Sequence, residues 1–336
     1  LGRVVITGAA GFLGSHLSDK FLAEGWSVAG VDNMVGGSMK NVNPNIDFFR
    51  LDLTNKKTLE HEAFYNADLV IHSAALAHEG LSVFSPSLIV NNTVMATVNA
   101  VTAAIKNGAK RFVFLSSMAR YGDHGETIYT EETEPKPQDP YGIAKLMAED
   151  LVRNLCDTHG VEWTIIVPHN IIGSRQKYDD PYRNVASIFA NRMLQGKQPI
   201  IYGDGQQRRS FTFVDDVVDP LYLATQTPDA CCEVINVGPD WESTTVKQLA
   251  EKIAAYYDFE LDPIYVPDRP QEVKVAVCSA DKARKLLNYN AATNLDTGLA
   301  ELLDWIKKSK AKEFKYHLPL EIINDKTPKT WTDRMM

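Results

Sequence analysis

The sequence predicts an α/β fold in which a doubly wound parallel sheet carries helices on both faces and a smaller α/β part follows on its C-terminal side. Three observations lead there. The chain opens on a strand, a glycine turn, a helix and a second strand. Short apolar runs then alternate with helical periodicity as far as Pro168, and beyond it the segments shorten between Gly, Pro and Asp.

The first unit begins at Val4-Val5-Ile6 and is interrupted by Gly8 to Gly14. Phe12, Leu13, Leu17, Phe21 and Leu22 recur at helical spacing until Gly25, and the next apolar run, 28–31, stops at Asp32. Residues 46–49 read as a third strand, followed by a polar helix and a fourth strand at 69–71. A helix over 96–105 leads into a strand over 111–115, and a helix over 143–155 into a strand over 163–167. Later strands fall around 200–202, 210–214 and 234–237, with helices over 185–195, 215–225 and 246–257. The expected division is a dinucleotide-binding domain over 1–168, joined by some later strand, and a mainly substrate-binding domain over 169–310. A tail over 311–336, polar and carrying Pro319 and Pro328, is expected to hug the surface.

With 336 residues, 44% apolar and 23% charged, the chain is long enough to bury a full globular core. The net charge of −8, from 35 basic and 43 acidic residues, opposes a nucleic-acid-binding face, whereas a few placed Arg side chains still suit a phosphorylated small molecule. The run Lys307-Lys308-Ser309-Lys310-Ala311-Lys312 reads as a solvated face rather than a nucleic-acid site. Cys156, Cys231, Cys232 and Cys278 contain no CxxC pair, so reduced thiols in a cytoplasmic protein are expected. No apolar run approaches the roughly 20 residues that span a bilayer, and no membrane association is expected. His61, His72 and His78 lack ligand spacing, so no metal is expected.

Gly8-Ala9-Ala10-Gly11-Phe12-Leu13-Gly14 reads as a dinucleotide fingerprint. Gly8 suits the tight turn, Gly11 the close approach of a pyrophosphate, and Gly14 the packing of helix on sheet. Backbone N–H groups at the helix start, around Phe12 and Leu13, would face the phosphates. A glycine run alone is often a mere turn; the strand before it, the helix after it and Asp32 make this one a cofactor site. Asp32 and Asn33 would take the adenosine ribose hydroxyls and repel a 2′-phosphate, which favours NAD over NADP, although the pair also reads as a plain turn. Asp52 and Leu53 are adenine-side candidates or an ordinary helix start.

Tyr141 and Lys145 stand four residues apart, on one helical face and about 6 Å apart along the axis. Alone they would read as a half-buried aromatic and a snorkelling lysine. With the glycine fingerprint and Ser116-Ser117 after the 111–115 strand, the chain resembles the short-chain dehydrogenase/reductase superfamily, in its extended nucleotide-sugar epimerase branch, over roughly residues 3 to 305. The resemblance implies a Rossmann-type domain, NAD as cofactor and a nucleotide sugar as substrate. It implies that Tyr141 is the acid/base, that Lys145 tunes it and holds the nicotinamide ribose, and that Ser117 binds the reacting hydroxyl. Ser116 would be structural and Tyr121 would shape the loop. A free tyrosine has a pKa near 10, so a nearby ammonium and a positive nicotinamide ring would be needed to favour phenolate.

The resemblance further implies that Ala74 and Ala75 pass beside the cofactor and that Asn92 supports the active-site loop, although Met95-Ala96 replaces the usual Gly-Thr pair beyond it. Asn170 would contact substrate, with His169 shaping the pocket. Tyr202, Arg209 and Arg269 would hold the nucleotide diphosphate, because a guanidinium fork suits paired phosphate oxygens; Arg209, beside Arg208, also reads as a basic strand edge. Dehydratases of this branch carry acidic residues directly after the catalytic Ser or Thr, where this chain has Met118 and Ala119. That difference favours epimerisation over dehydration, and the resemblance implies a UDP-hexose inverted at C4 through a transient keto sugar. The alternatives are epimerisation of a uronic acid or GDP-sugar, dehydration, decarboxylation, and a noncatalytic NAD-binding scaffold. Arg120 is a candidate for recognising an acidic sugar or pairing with Glu126. A homodimer through the helices around 93–106 and 143–155 is also implied.

Overall fold

The computed structural model describes residues 2–125 and 127–336. Seven strands form one parallel sheet: β1 (Arg3–Thr7), β2 (Ser27–Asp32), β3 (Asp47–Arg50), β4 (Leu69–His72), β5 (Arg111–Leu115), β6 (Glu162–Pro168) and β7 (Glu233–Val237), in the order β7-β6-β5-β4-β1-β2-β3. Val5 faces Ala29 on one side and Val70 on the other, so the first strand is central. Continuous apolar runs suit β1, β4 and β5 because such strands are buried on both faces. The chain winds outward from β1 through β2 and β3, then returns to the other side with β4. That reversal opens a crevice at the carboxyl ends of β1 and β4, the usual ligand position in an open α/β sheet.

One face of the sheet is covered by α2 (Pro86–Lys106) and α3 (Pro140–His159), the other by α1 (Phe12–Ala23), α5 (Asp215–Gln226) and α7 (Asp281–Leu287). A separate core joins α4 (Val185–Leu194), α6 (Val246–Tyr257) and α8 (Leu295–Ser309) to the short strand Ile200–Tyr202. Two further strands, Asn170–Ile172 and Phe211–Phe213, pair with each other beside it.

Three local expectations change. The polar helix after β3 is two 3-10 turns, Lys56–Glu60 and Glu62–Phe64. The Asn55 and His61 side chains accept from the N–H groups of Lys57 and Ala63, and such short-range bonds compete with a continuous helix. Helix α3 starts at Pro140 rather than 143, because the Asp139 carboxylate caps Gly142 N–H at 2.9 Å and Pro140 fits the first helical position. Tyr141 therefore sits in the first turn. Helix α2 reaches back to Pro86 through one π turn at Asn91–Met95. An apolar stretch of bilayer length thus does exist: its mean hydropathy is 1.5, and 56% of that window is buried inside the fold.

The tail turns back into the molecule. Leu318, Trp331 and Met336 are buried. Trp331 packs edge-on against Phe84 and Tyr182, and Arg192 donates to the Met335 carbonyl at 2.8 Å. The Glu321 carboxylate accepts from Ser87 and Leu88 N–H, both at 2.9 Å, at the start of α2.

Candidate active site

A cavity of about 480 Å³ runs along the carboxyl edge of the sheet, and apart from Arg120 every residue that the sequence singles out for catalysis, cofactor or substrate lines it. The glycine turn forms one wall. Gly8 has φ +74°, and a Cβ on Gly14 would stand 2.1 Å from the Gly8 carbonyl oxygen, so α1 packs this closely only without that atom. Gly11 is the N-cap of α1 and supplies no capping side chain, which leaves the first N–H groups of the helix, with Phe12 and Leu13, turned to the cavity. Asp32 accepts from Ala10 N–H at 3.1 Å and Met34 N–H at 2.7 Å. Burial raises its carboxyl above the usual range while these bonds oppose the shift. Asn33 adjoins it and accepts from Val35 N–H. Asp52 is exposed and caps its own turn through Thr54 at 2.9 Å, next to buried Leu53. Ala74 presses on the same turn: a Cβ on Gly8 would meet its backbone at 3.0 Å. These features fit a dinucleotide: a cradle that a Cβ would fill, an uncapped helix start and a buried carboxylate.

Ser117, Tyr141 and Lys145 form the middle of the cavity. The Ser117 oxygen accepts from Ala119 N–H at 3.2 Å, opening the turn Met118–Arg120. Burial pushes the Tyr141 phenol well above its ordinary pKa; the Arg183 guanidinium and a hydrogen bond with Ser117 pull it down, and Glu79 and Asp139 push it up. Burial lowers Lys145 to about 7, with Glu149 acting upward and Arg183 downward. The Lys145 amine donates to the Leu115 carbonyl at 2.6 Å and lies 5.9 Å from the Tyr141 ring centre. Arg183 is thus a further cation acting on the phenol, beside the expected Lys145. Sequence reading missed Arg183 because forty-odd residues separate it from the motif.

Arg120 also departs from expectation. It is buried behind the site, outside the cavity lining, with Nε 2.9 Å from Glu149 Oε1. It donates to Tyr121 Oη at 3.1 Å, and Tyr121 donates to Asn236 Oδ1 at 2.8 Å. Ser116 donates to Glu149 as well. Arg120 therefore does not face a sugar, and Glu126 lies outside the described residues. His169 is buried and lowered by burial to about 4, so it stays neutral in the wall of the cavity.

Asn170 donates to the Ser210 carbonyl at 3.1 Å. Arg209 donates to the Val273 carbonyl at 2.6 Å, and Arg269 stacks over the Tyr202 ring at 4.7 Å while pairing with Glu272 at 2.7 Å. Both guanidiniums border the cavity. So do three features absent from the sequence reading: Glu79, Arg183, and the tail residues Trp331 and Met336. A lone acid among apolar neighbours just after β4 was the available signal for Glu79. Among the described residues no group of three His, Cys, Asp or Glu is placed to hold a metal ion.

A glycine-turn cradle joined to a Ser, Tyr and Lys group defines a dinucleotide-dependent enzyme of the short-chain dehydrogenase/reductase type. Comparison with known proteins gives the family: the chain belongs to the NAD dependent epimerase/dehydratase family, whose model matches residues 4–238. A Methanocaldococcus jannaschii protein provisionally named UDP-glucose 4-epimerase is 32% identical over 310 residues, covering 91% of this chain and 99% of that one. The UDP-glucose 4-epimerase of Thermotoga maritima, solved with UDP-glucose, superposes with a TM-score of 0.85 at 31% identity, over 91% of this chain and 99% of that chain. The Thermus thermophilus UDP-glucose 4-epimerase, solved with NAD, gives a TM-score of 0.83 at 28% identity, over 90% and 98%.

Proposed function

We propose that the chain is an NAD-dependent nucleotide-sugar epimerase that inverts C4 of a UDP-hexose through a transient keto sugar. The observation that carries this reading is the meeting of Ser117, Tyr141 and Lys145 with the Gly8–Gly14 turn and the Arg209 and Arg269 guanidiniums around one cavity. Asp32 would take the adenosine ribose, and the start of α1 the pyrophosphate. NAD, when bound, accepts hydride from the sugar carbon and returns it. Tyr141 removes the hydroxyl proton as that carbon is oxidised, and Ser117 holds the hydroxyl. Arg183 and Lys145 favour the phenolate against its burial. Arg209 and Arg269 retain the diphosphate while the keto sugar turns its other face, and Tyr141 then gives the proton back. Met118 and Ala119 offer no acid for expelling water.

Two copies are proposed to pair through α2 and α3. In support, Val90, Met95, Ile143 and Met147 are exposed apolar side chains on these two helices. The functional test incubates the NAD-loaded protein with UDP-hexoses, UDP-hexuronates and GDP-hexoses and separates the products. UDP-galactose formed from UDP-glucose is expected. Turnover confined to uronates or GDP-sugars would move the substrate assignment, and tight NAD binding with no turnover would leave a scaffold.

A further inference from the structure

Among the described residues, Glu79 is the one carboxylate lining the cavity whose side chain has no partner. It opens the short helix Glu79–Ser82, directly after the cofactor-side alanines. Two buried ties hold this segment. On one side Ser82 Oγ donates to the Glu79 carbonyl at 2.6 Å and reaches Asp139 at 3.2 Å, the residue that caps the first turn of α3 and so positions Tyr141. On the other side His78 Nε2 lies 2.9 Å from Asp180 Oδ2, both side chains almost wholly buried, in the loop that leads to Arg183. The next residue abuts the diphosphate clamp, since a Cβ on Gly80 would lie 3.1 Å from Arg269 Nη1.

Glu79 lines the cavity as an exposed residue. Its carboxylate has no hydrogen-bond or ion-pair partner among the described residues, although it lies within electrostatic reach of Tyr141, Arg209 and Arg269. An acceptor-only group there has two consequences. It repels the diphosphate unless Arg209 and Arg269 stand between them, and it binds only the donor-bearing part of the ligand. The position beside Tyr141 makes that part the sugar.

We propose that Glu79 is a specificity-determining residue of the sugar subsite, its two carboxylate oxygens accepting hydrogen bonds from hydroxyl groups of the hexose. This rests on the epimerase reading above and assigns the sugar contact within it. A hydroxyl-to-carboxylate bond is charge-assisted and shorter and stronger than a neutral one. Losing it leaves the sugar bound by Ser117 and Tyr141 at the reacting carbon, so the loss falls on binding more than on the chemical step.

The test uses the NAD-loaded protein with UDP-glucose and its 2-deoxy, 3-deoxy and 6-deoxy analogues, in wild type, Glu79→Gln and Glu79→Ala. Expected is a rise of about tenfold or more in KM for UDP-glucose in Glu79→Ala, with kcat changed far less. At least one deoxy analogue should be discriminated by wild type and no longer by Glu79→Ala, with Glu79→Gln between them. Titration with UDP alone should give the same Kd in all three proteins, which separates a sugar contact from damage to the clamp. Equal discrimination among the analogues in wild type and Glu79→Ala would overturn the assignment, as would a loss confined to kcat. Absence of turnover in wild type across UDP-hexoses, UDP-hexuronates and GDP-hexoses would instead defeat the epimerase reading; the Kd difference between UDP-glucose and UDP then still tests the contact.

Discussion

Replacing Glu149 by Ala tests how the floor of the active site is held. Glu149 is fully buried and meets three partners: Arg120 in an ion pair at 2.9 Å, Arg153 at 2.9 Å and the Ser116 hydroxyl. The three losses are unequal. Arg153 is partly exposed and keeps Asp150 at 2.8 Å, so it contributes at most about 1 kcal/mol. Ser116 loses an ordinary hydrogen bond, about 1 kcal/mol. Arg120 is 4% exposed and is left as a buried cation without a carboxylate, which costs about 3–5 kcal/mol. The expected destabilisation is therefore about 4–7 kcal/mol, read as a lower urea midpoint at unchanged slope in the cofactor-free protein. Because the penalty comes from the orphaned partner, the pair Arg120→Met with Glu149→Leu should lose much less than its two single changes summed. A Glu149→Ala protein within 1 kcal/mol of wild type, or additive single changes, would refute the reasoning.

Other expectations follow from the same geometry. Tyr141→Phe should keep bound NAD, seen spectroscopically, and lose about 10²–10⁴ in turnover of saturating nucleotide sugar; near-normal turnover would remove Tyr141 from the chemistry. Gly14→Ala places a Cβ 2.1 Å from the Gly8 carbonyl, so the purified protein should carry little NAD, and full occupancy would contradict the close packing of α1. Burial holds Lys145 near pH 7 in the folded chain, against about 10.4 when unfolded. Between those values the unfolded chain binds the extra proton, so stability rises with pH. Urea melts should therefore show wild type gaining on Lys145→Met from pH 7 to pH 9, and a flat difference would contradict the burial.

What the sequence discloses is whatever chemistry is written in a short stretch. Gly8 to Gly14, Asp32 at the end of β2, and Tyr141 four residues before Lys145 are all local patterns, and the cavity gathers them. Arg120 misleads for the same reason. A cation three residues after Ser117 looks functional until α3 delivers Glu149, twenty-nine positions on, beneath it. The tail is equally opaque. Its Lys and Pro content describes a surface segment, yet Trp331 is buried by Phe84 and Tyr182, which lie more than a hundred residues away. The π turn in α2 and the further cation acting on Tyr141 likewise depend on packing between distant segments.

Asp139 joins the readable part of the site to the unreadable part. An acidic residue before Pro140 is a helix-start signal in any sequence, and its bond to Gly142 sets where Tyr141 stands in the first turn of α3. The same carboxylate receives Ser82, fifty-seven residues earlier, and through it fixes Glu79. A local cap thus carries the reacting residue, while a second contact on the same Oδ1 atom carries the proposed sugar contact. The two move together if the cap moves. The separation of KM from kcat that identifies Glu79 therefore has to be read in variants that leave Asp139 intact.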